Sequence, residues 1–163
     1  MTPIEVMAGS LAQSHKMLKD HIADFSDADM LTRPTPAANH TAWQLGHLIL
    51  AEAGMVNACA PGAVPPPPAG FSDKFTKETA KNDDPKAFVG KSELLAVFDR
   101  NRTATIAWAK TLTPADFGKP GPEKMREFIP TVGHLVALLP VHDAMHLGQI
   151  QVIRRKLGRP LIF

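Results

Sequence analysis

The sequence contains no tyrosine, one cysteine and only 6% aromatic residues over its 163 positions. A lone thiol cannot close an internal disulfide, so Cys59 fits a reducing compartment. Scarce aromatic rings leave little from which to build base-stacking platforms. A formal charge of +2, with both signs interspersed, makes no basic stripe for a phosphate backbone. Nucleic-acid binding is therefore not expected. No apolar run approaches the roughly 20 residues that a membrane helix needs, and the opening MTPIEVMAGS has Glu5 and no cationic start of the kind a secretory leader carries. A cytoplasmic protein without a membrane segment is the expectation. What is present is a 44% hydrophobic, 21% charged balance ordinary for a globule. The length suits a single domain over residues 1–163 with a core of its own.

Histidine placement carries the most information. In Thr131 to Pro160, TVGHLVALLPVHDAMHLGQIQVIRRKLGRP, His142 and His146 lie four residues apart, a spacing that stacks two side chains on one helix face, with Gln149 and Ile153 continuing the stripe. The helix is expected to start at or near Pro140 and to stop at Gly158 and Pro160, with Arg154, Arg155 and Lys156 at the negative end of its dipole. Two imidazoles so placed can share one cation. A catalytic transition-metal site usually takes about three protein ligands, and His47 is the candidate for the third. It lies in NHTAWQLGHLILAEAG, where Thr41 and Gln44 read as a capping box and Trp43, His47, Leu50, Ala51 and Gly54 share one face. Alone, such a histidine reads as a hydrogen-bonded core residue; the pair on the second helix favours a ligand.

The pairing of N-x-x-A-W-x-L-G-H (Asn39 to His47) with H-D-A-x-H-x-G-Q-I (His142 to Ile150) and a closing L-G-x-P (Leu157 to Pro160) resembles the DinB-like, or YfiT-like, metalloenzyme family. These are damage-inducible proteins unrelated to the DNA polymerase that shares the name. The resemblance runs over nearly the whole chain. It implies an all-α, up-up-down-down four-helix bundle and a divalent metal, nickel or zinc, on His47, His142 and His146. It also implies frequent homodimers, and enzymes that are thiol-dependent transferases or isomerases, or metal-dependent hydrolases.

The remaining segments fit a bundle. Ile4, Met7, Leu11, Leu18, Ile22 and Phe25 mark a first helix from about Thr2 to Ile22. His15 shares that stripe, and a structural role is the simpler reading because nothing pairs it with another ligand. Residues 23–40 read as a connection, with the second helix beginning near Asn39. From Pro61 to Gly90 a long crossover begins with Pro65 to Pro68 in extended conformation. Phe71 and Phe75 within it have two readings, a lid over the site or pins to the bundle surface. A third helix is expected from Lys91 or Ser92 to Leu112, burying Leu94, Leu95, Phe98, Thr105, Trp108 and Leu112, with Arg100 and Arg102 solvated. QLGHL around His47 is echoed by TVGHL around His134, but His134 precedes His142 by roughly 12 Å of helix rise. It reads as structural unless Pro140 breaks the helix. His40 reads as an exposed residue of the helix entry.

Three neutral imidazoles leave a metal's charge uncompensated and its Lewis acidity high. H-D-A-M-H invites comparison with the H-E-x-x-H helix of zinc proteases, with Asp143 in the place of the glutamate base. Aspartate is one methylene shorter and the third ligand lies upstream, which argues against a protease. Asp143 is a candidate base or acceptor for a ligand imidazole, or an exposed residue with neither role. Gln149 is a candidate for orienting substrate, with helix packing as its other reading. Glu52 and Cys59 are not spaced to reach the same ion. The expected function is that of a metal-dependent enzyme acting on a small molecule. It is either an S-transferase using a low-molecular-weight thiol or a hydrolase; a non-catalytic metal-binding or stress-response protein is the alternative.

Overall fold

The computed structural model describes residues 1–162. Five α-helices follow one another: α1 (Pro3–Ile22), α2 (Asp27–Met30), α3 (Thr41–Cys59), α4 (Lys91–Thr111) and α5 (Val132–Lys156). Among the described residues there is no strand, only an isolated bridge between Pro120 and Thr131.

Local chemistry sets the helix ends. The Thr2 hydroxyl accepts from the Glu5 N–H, and the Glu5 carboxylate accepts from the Thr2 N–H, a reciprocal cap that opens α1. At α3 the expected Thr41/Gln44 box is absent. His40, fully buried rather than exposed, caps instead: its Nδ1 accepts from the Trp43 N–H at 3.1 Å while Nε2–H donates to the Asn82 carbonyl at 3.3 Å. The last helix begins at Val132, capped by Thr131, two turns before the expected start, and Pro140 sits inside it. A proline there gives up one intrahelical hydrogen bond and crowds the carbonyl one turn before it, but the apolar stripe Val132, Leu135, Val136 and Leu139 buries the turns before it and offsets that cost. Past the other end of α5, Gly158 takes a φ of +67°. Its N–H donates to the Arg155 carbonyl, and the Arg159 N–H donates to that of Arg154, the paired closure that a left-handed residue permits.

α1 packs against α4 and α5, and α3 packs against the same two. Two apolar clusters fill the space between them. One joins Leu18 and Ile22 late in α1 to Trp43 and Leu45 early in α3, Leu94 early in α4 and Ile153 late in α5. The other joins Leu11, Val56, Ala109 and Leu135 from the opposite ends of the same helices. The chain therefore runs up, down, down, up through α1, α3, α4 and α5. This corrects the up-up-down-down order: the parallel neighbours are α3 with α4, the pair that the long crossover joins, and α1 with α5.

Between the clusters lies a polar layer, one residue from each long helix: Ser14, Glu52, Arg102 and Asp143. Arg102, expected in solvent, is 1% exposed. It donates to Glu52 at 2.7 Å, to the Asp143 carboxylate at 2.8 Å, to the Leu11 carbonyl at 2.9 Å and to the Ser14 hydroxyl at 3.0 Å. Leu95 and Trp108, expected in the core, are only half-buried, because Arg102 and Asn101 take the inward face of α4.

The crossover is fixed by its aromatics. Phe71 and Phe75 are 1% and 5% exposed and belong to the first cluster with Phe88, which supports pinning rather than a lid. Phe75 lies flat on α3 where Gly46 leaves room; a Cβ at that position would stand 2.2 Å from Phe75 Cδ1. Phe71, at 4.8 Å between ring centroids, and Phe88, at 5.9 Å, prevent the ring from withdrawing. Gly46→Ala is therefore expected to cost about 1–3 kcal/mol, read as a lower urea midpoint with an unchanged m-value.

Candidate metal centre

His47 comes from the middle of α3, and His142 and His146 come from successive turns of α5. Packing α3 against α5 brings the three together, and one ligating nitrogen from each lies within 4.8 Å of the others. Nε2 of His47 and Nε2 of His142 are 3.3 Å apart. For an ion with metal–nitrogen bonds of about 2.0–2.1 Å in tetrahedral geometry, ligand nitrogens stand roughly 3.3 Å from one another, so this edge already has the dimension of a coordination polyhedron.

Neighbouring side chains orient the rings. His146 is 9% exposed and donates from Nδ1–H to the Gln44 carbonyl oxygen at 3.1 Å, which leaves Nε2 as the lone-pair nitrogen. Gln44 is fully buried and itself anchored, donating from Nε2 to the Asn39 carbonyl at 2.7 Å. His47 is stacked on Trp43, one turn earlier, with the rings 3° from parallel. The Trp43 indole N–H is fixed by the Thr76 carbonyl at 2.9 Å. Sequence reading treated Gln44 only as a helix cap. Its spacing of three residues before His47 was the available signal, since it puts both side chains on neighbouring positions of one face. Gln44→Leu is expected to weaken metal affinity about 10–100-fold, measured by competition with a chromophoric chelator.

Burial holds all three imidazoles below their ordinary pKa of 6.5, and the proximity of His142 and His47 adds to the effect at His146, which falls to about 4. The site is thus neutral and ready to donate lone pairs at pH 7. Between the ordinary value and the folded one, the unfolded chain binds a proton that folded His146 refuses, so metal-free stability falls with falling pH. For this group the loss begins as pH falls through about 7, where the unfolded imidazole starts to take its proton, and grows to the order of 3 kcal/mol near pH 4. Urea midpoints of metal-free protein across that window provide the check.

The other candidates lie elsewhere. Asp143 is buried, not exposed beside the seam. Its carboxylate accepts from the Ser14 hydroxyl at 2.6 Å and from Arg102 at 2.8 Å, which commits it to the polar layer. Gln149 is exposed and does not line the cavity described below. His134, near the start of α5, accepts from the Thr131 hydroxyl at 2.8 Å and is exposed. His15 donates to Asp99 at 2.7 Å on the α1–α4 side of the bundle. Glu52 is buried against Arg102, and Cys59 ends α3.

A cavity of about 570 Å³ opens beside the histidines. One wall is the α3 face carrying His47, Leu50, Ala51, Gly54 and Met55; the other is the α5 face carrying Leu138, His142 and Met145. Both follow the spacing of three and four residues that defines one side of a helix. Met125 and Phe128, from the connection between α4 and α5, close the remaining side. These two, rather than Phe71 and Phe75, are the residues placed to cover the site.

The sequence profile of the DinB superfamily matches residues 10–150, a span that includes all three histidines. The chain belongs to the DinB superfamily. A crystal structure of a conserved protein from Enterococcus faecalis shares the fold, with a TM-score of 0.64 and 16% identity over 98% of this chain and 99% of that one. A search of curated proteins finds no match. Superfamily membership and the histidine cluster rest on different observations, one on sequence pattern and one on geometry. Among the described residues, no helix is long and apolar enough to cross a membrane.

Proposed function

We propose that this DinB superfamily member is a metal-dependent enzyme acting on a small molecule, with one divalent ion, nickel or zinc, held by His47, His142 and His146. The observation that carries the reading is that the three nitrogens converge at the edge of a cavity, with His47 and His142 themselves in its lining. The donor set fits such an ion: three neutral nitrogens, one with its tautomer fixed by a buried carbonyl, suit a borderline metal and leave coordination positions free. When bound, the ion supplies a Lewis acid at the head of the cavity.

The chain's own residues do the rest. Gln44 and Trp43 hold two of the rings in place, and the apolar walls offer water no hydrogen-bond partner in the space beside them. His47 and His142 are the only titratable side chains in the lining, and Asp143 is occupied by Arg102 and Ser14. That shortage of a free base favours a reaction in which the nucleophile ionises readily on its own. A thiol does so in part near neutral pH. Water on a three-histidine ion becomes acidic as well, so the lining alone does not choose between the two nucleophiles; the resemblance to thiol-dependent family members does, and on that ground we favour S-transfer over hydrolysis.

Untagged protein stripped with chelator and titrated with nickel or zinc is expected to retain one equivalent by elemental analysis. The metal-loaded protein is then expected to consume a low-molecular-weight thiol in the presence of some member of an electrophile panel. Failure to retain either metal overturns the reading. Metal retention with hydrolysis and no thiol consumption overturns the choice of reaction.

A further inference from the structure

The cavity wall specifies more than a place for substrate. From His47 to Gly54 the α3 wall extends through two helical turns, roughly 10 Å, and every non-histidine residue along it and across from it is apolar. Leu50, Ala51, Met55, Leu138 and Met145 form the sides, with Met125 and Phe128 above. No charged side chain lines it. Charge begins only past Met55 and Met125, where Glu123 and Lys124 border an adjoining hollow. The volume of about 570 Å³ falls within the range that encloses a drug-sized ligand. Three of the lining residues are methionines, whose unbranched thioethers adapt to more than one apolar shape. Phe128 and Met145 are 70% and 62% exposed, an exposure of apolar surface that a bound hydrophobic group would relieve.

We infer that the substrate accommodated here carries an uncharged hydrocarbon group, aliphatic or aromatic, which lies between α3 and α5 while a single ligating atom meets the histidines. The inference rests on the metal-centre reading for the position of that ligating atom; the apolar chamber stands on the lining alone. A carboxylate or phosphate on the part that lies along the walls, away from the histidines, is excluded, because burying that charge against methionine and leucine finds no compensating partner.

Gly54 makes the idea testable. A Cβ there would meet nothing within 4 Å, and leucine is a better helix former than glycine, so Gly54→Leu fills the chamber without straining α3. The first measurement uses no metal. The neutral fluorophore N-phenyl-1-naphthylamine is titrated into metal-free untagged protein and into Gly54→Leu. Saturable binding by the parent chain, weakened at least tenfold in the variant, is the expected result. The second measurement uses nickel-loaded protein and a series of n-alkyl hydroxamates from two to eight carbons, with oligoether hydroxamates of matching length. Affinity is expected to rise about fourfold per methylene until the chamber is full, with the oligoethers left behind and Gly54→Leu flattening the series. The variant should keep one equivalent of nickel. A flat series, or oligoethers binding as well as alkyl chains, overturns the inference while leaving the metal centre intact. Fluorophore binding that the variant does not weaken overturns it as well. Absence of nickel with displaceable fluorophore binding overturns the metal reading and leaves the apolar chamber standing.

Discussion

His142→Ala is expected to remove metal binding while leaving the helical fold in place. His142 is half-buried and lines the cavity, its ring nitrogen faces that of His47 at 3.3 Å, and no core cluster includes it. Truncating it therefore removes a ligand without opening the core. In the parent chain, metal at 1,000 times its dissociation constant is expected to stabilise the fold by about 4 kcal/mol, a rise in Tm on the order of 10 °C for a domain of this size. The variant should show no such rise, bind less than a tenth of an equivalent by elemental analysis, and keep the parent's far-ultraviolet circular dichroism. His134→Ala is the matching control: it lies on the same helix, exposed and hydrogen-bonded to Thr131, and should bind a full equivalent. Equal metal content in both variants would mean that the three rings do not act as one ligand set.

The contrast between those two histidines marks how far the sequence could be read. The spacing of four residues between His142 and His146, and the apolar surroundings of His47, pointed to the cluster because helix periodicity alone decides which side chains share a face. The limits of α1 and α4 were legible for a similar reason, since the apolar stripe and Thr2 act locally. Where the reading went wrong, the deciding partner lay far along the chain. Arg102 is indistinguishable in sequence from a solvated arginine until Glu52 and Asp143 arrive from two other helices. His40 resembled an exposed entry residue because its cover, Asn82 and Phe88, comes from the crossover. Pro140 marked a false start, because burial of Val132 to Leu139 outweighs the cost of a proline inside the helix. Direction also escaped: the long crossover marks α3 and α4 as parallel, but that α1 and α5 are parallel too, and hence the order of the helices, follows only from which halves share a cluster. Met125 and Phe128 carried no motif at all, and only the connection bridged at Pro120 and Thr131 brings them to the cavity.

Arg102→Met is expected to be the most destabilising of the substitutions considered, and its pH dependence separates lost charge from lost volume. Methionine keeps much of the side chain's length, so the packing against Phe98, whose ring lies 5.6 Å from the guanidinium carbon, is largely retained. What disappears is the only cation between two buried carboxylates. Glu52 and Asp143 are 3% and 2% exposed, and burial already raises the Glu52 pKa against the opposing pull of Arg102. Breaking one side of such a network costs about 3–5 kcal/mol, because the charges left behind have no partner. In the variant Glu52, buried and deprived of the guanidinium that opposes the effect of burial, should hold its proton to higher pH than in the parent. Protonation then stabilises the variant's folded state relative to its unfolded chain, whose carboxylates ionise normally, so the deficit against the parent should shrink as pH falls toward 5 and widen toward 8. Paired urea titrations at the two ends of that range would reveal it. A deficit independent of pH would assign the cost to packing and would remove the electrostatic account of the layer. If the deficit closes at low pH, the combination of Arg102→Met with Glu52→Gln and Asp143→Asn should recover most of the stability at neutral pH. That recovery would indicate that the layer sets the register of the four long helices, and with it the distance between His47 and His142, more than it adds to the stability of the fold.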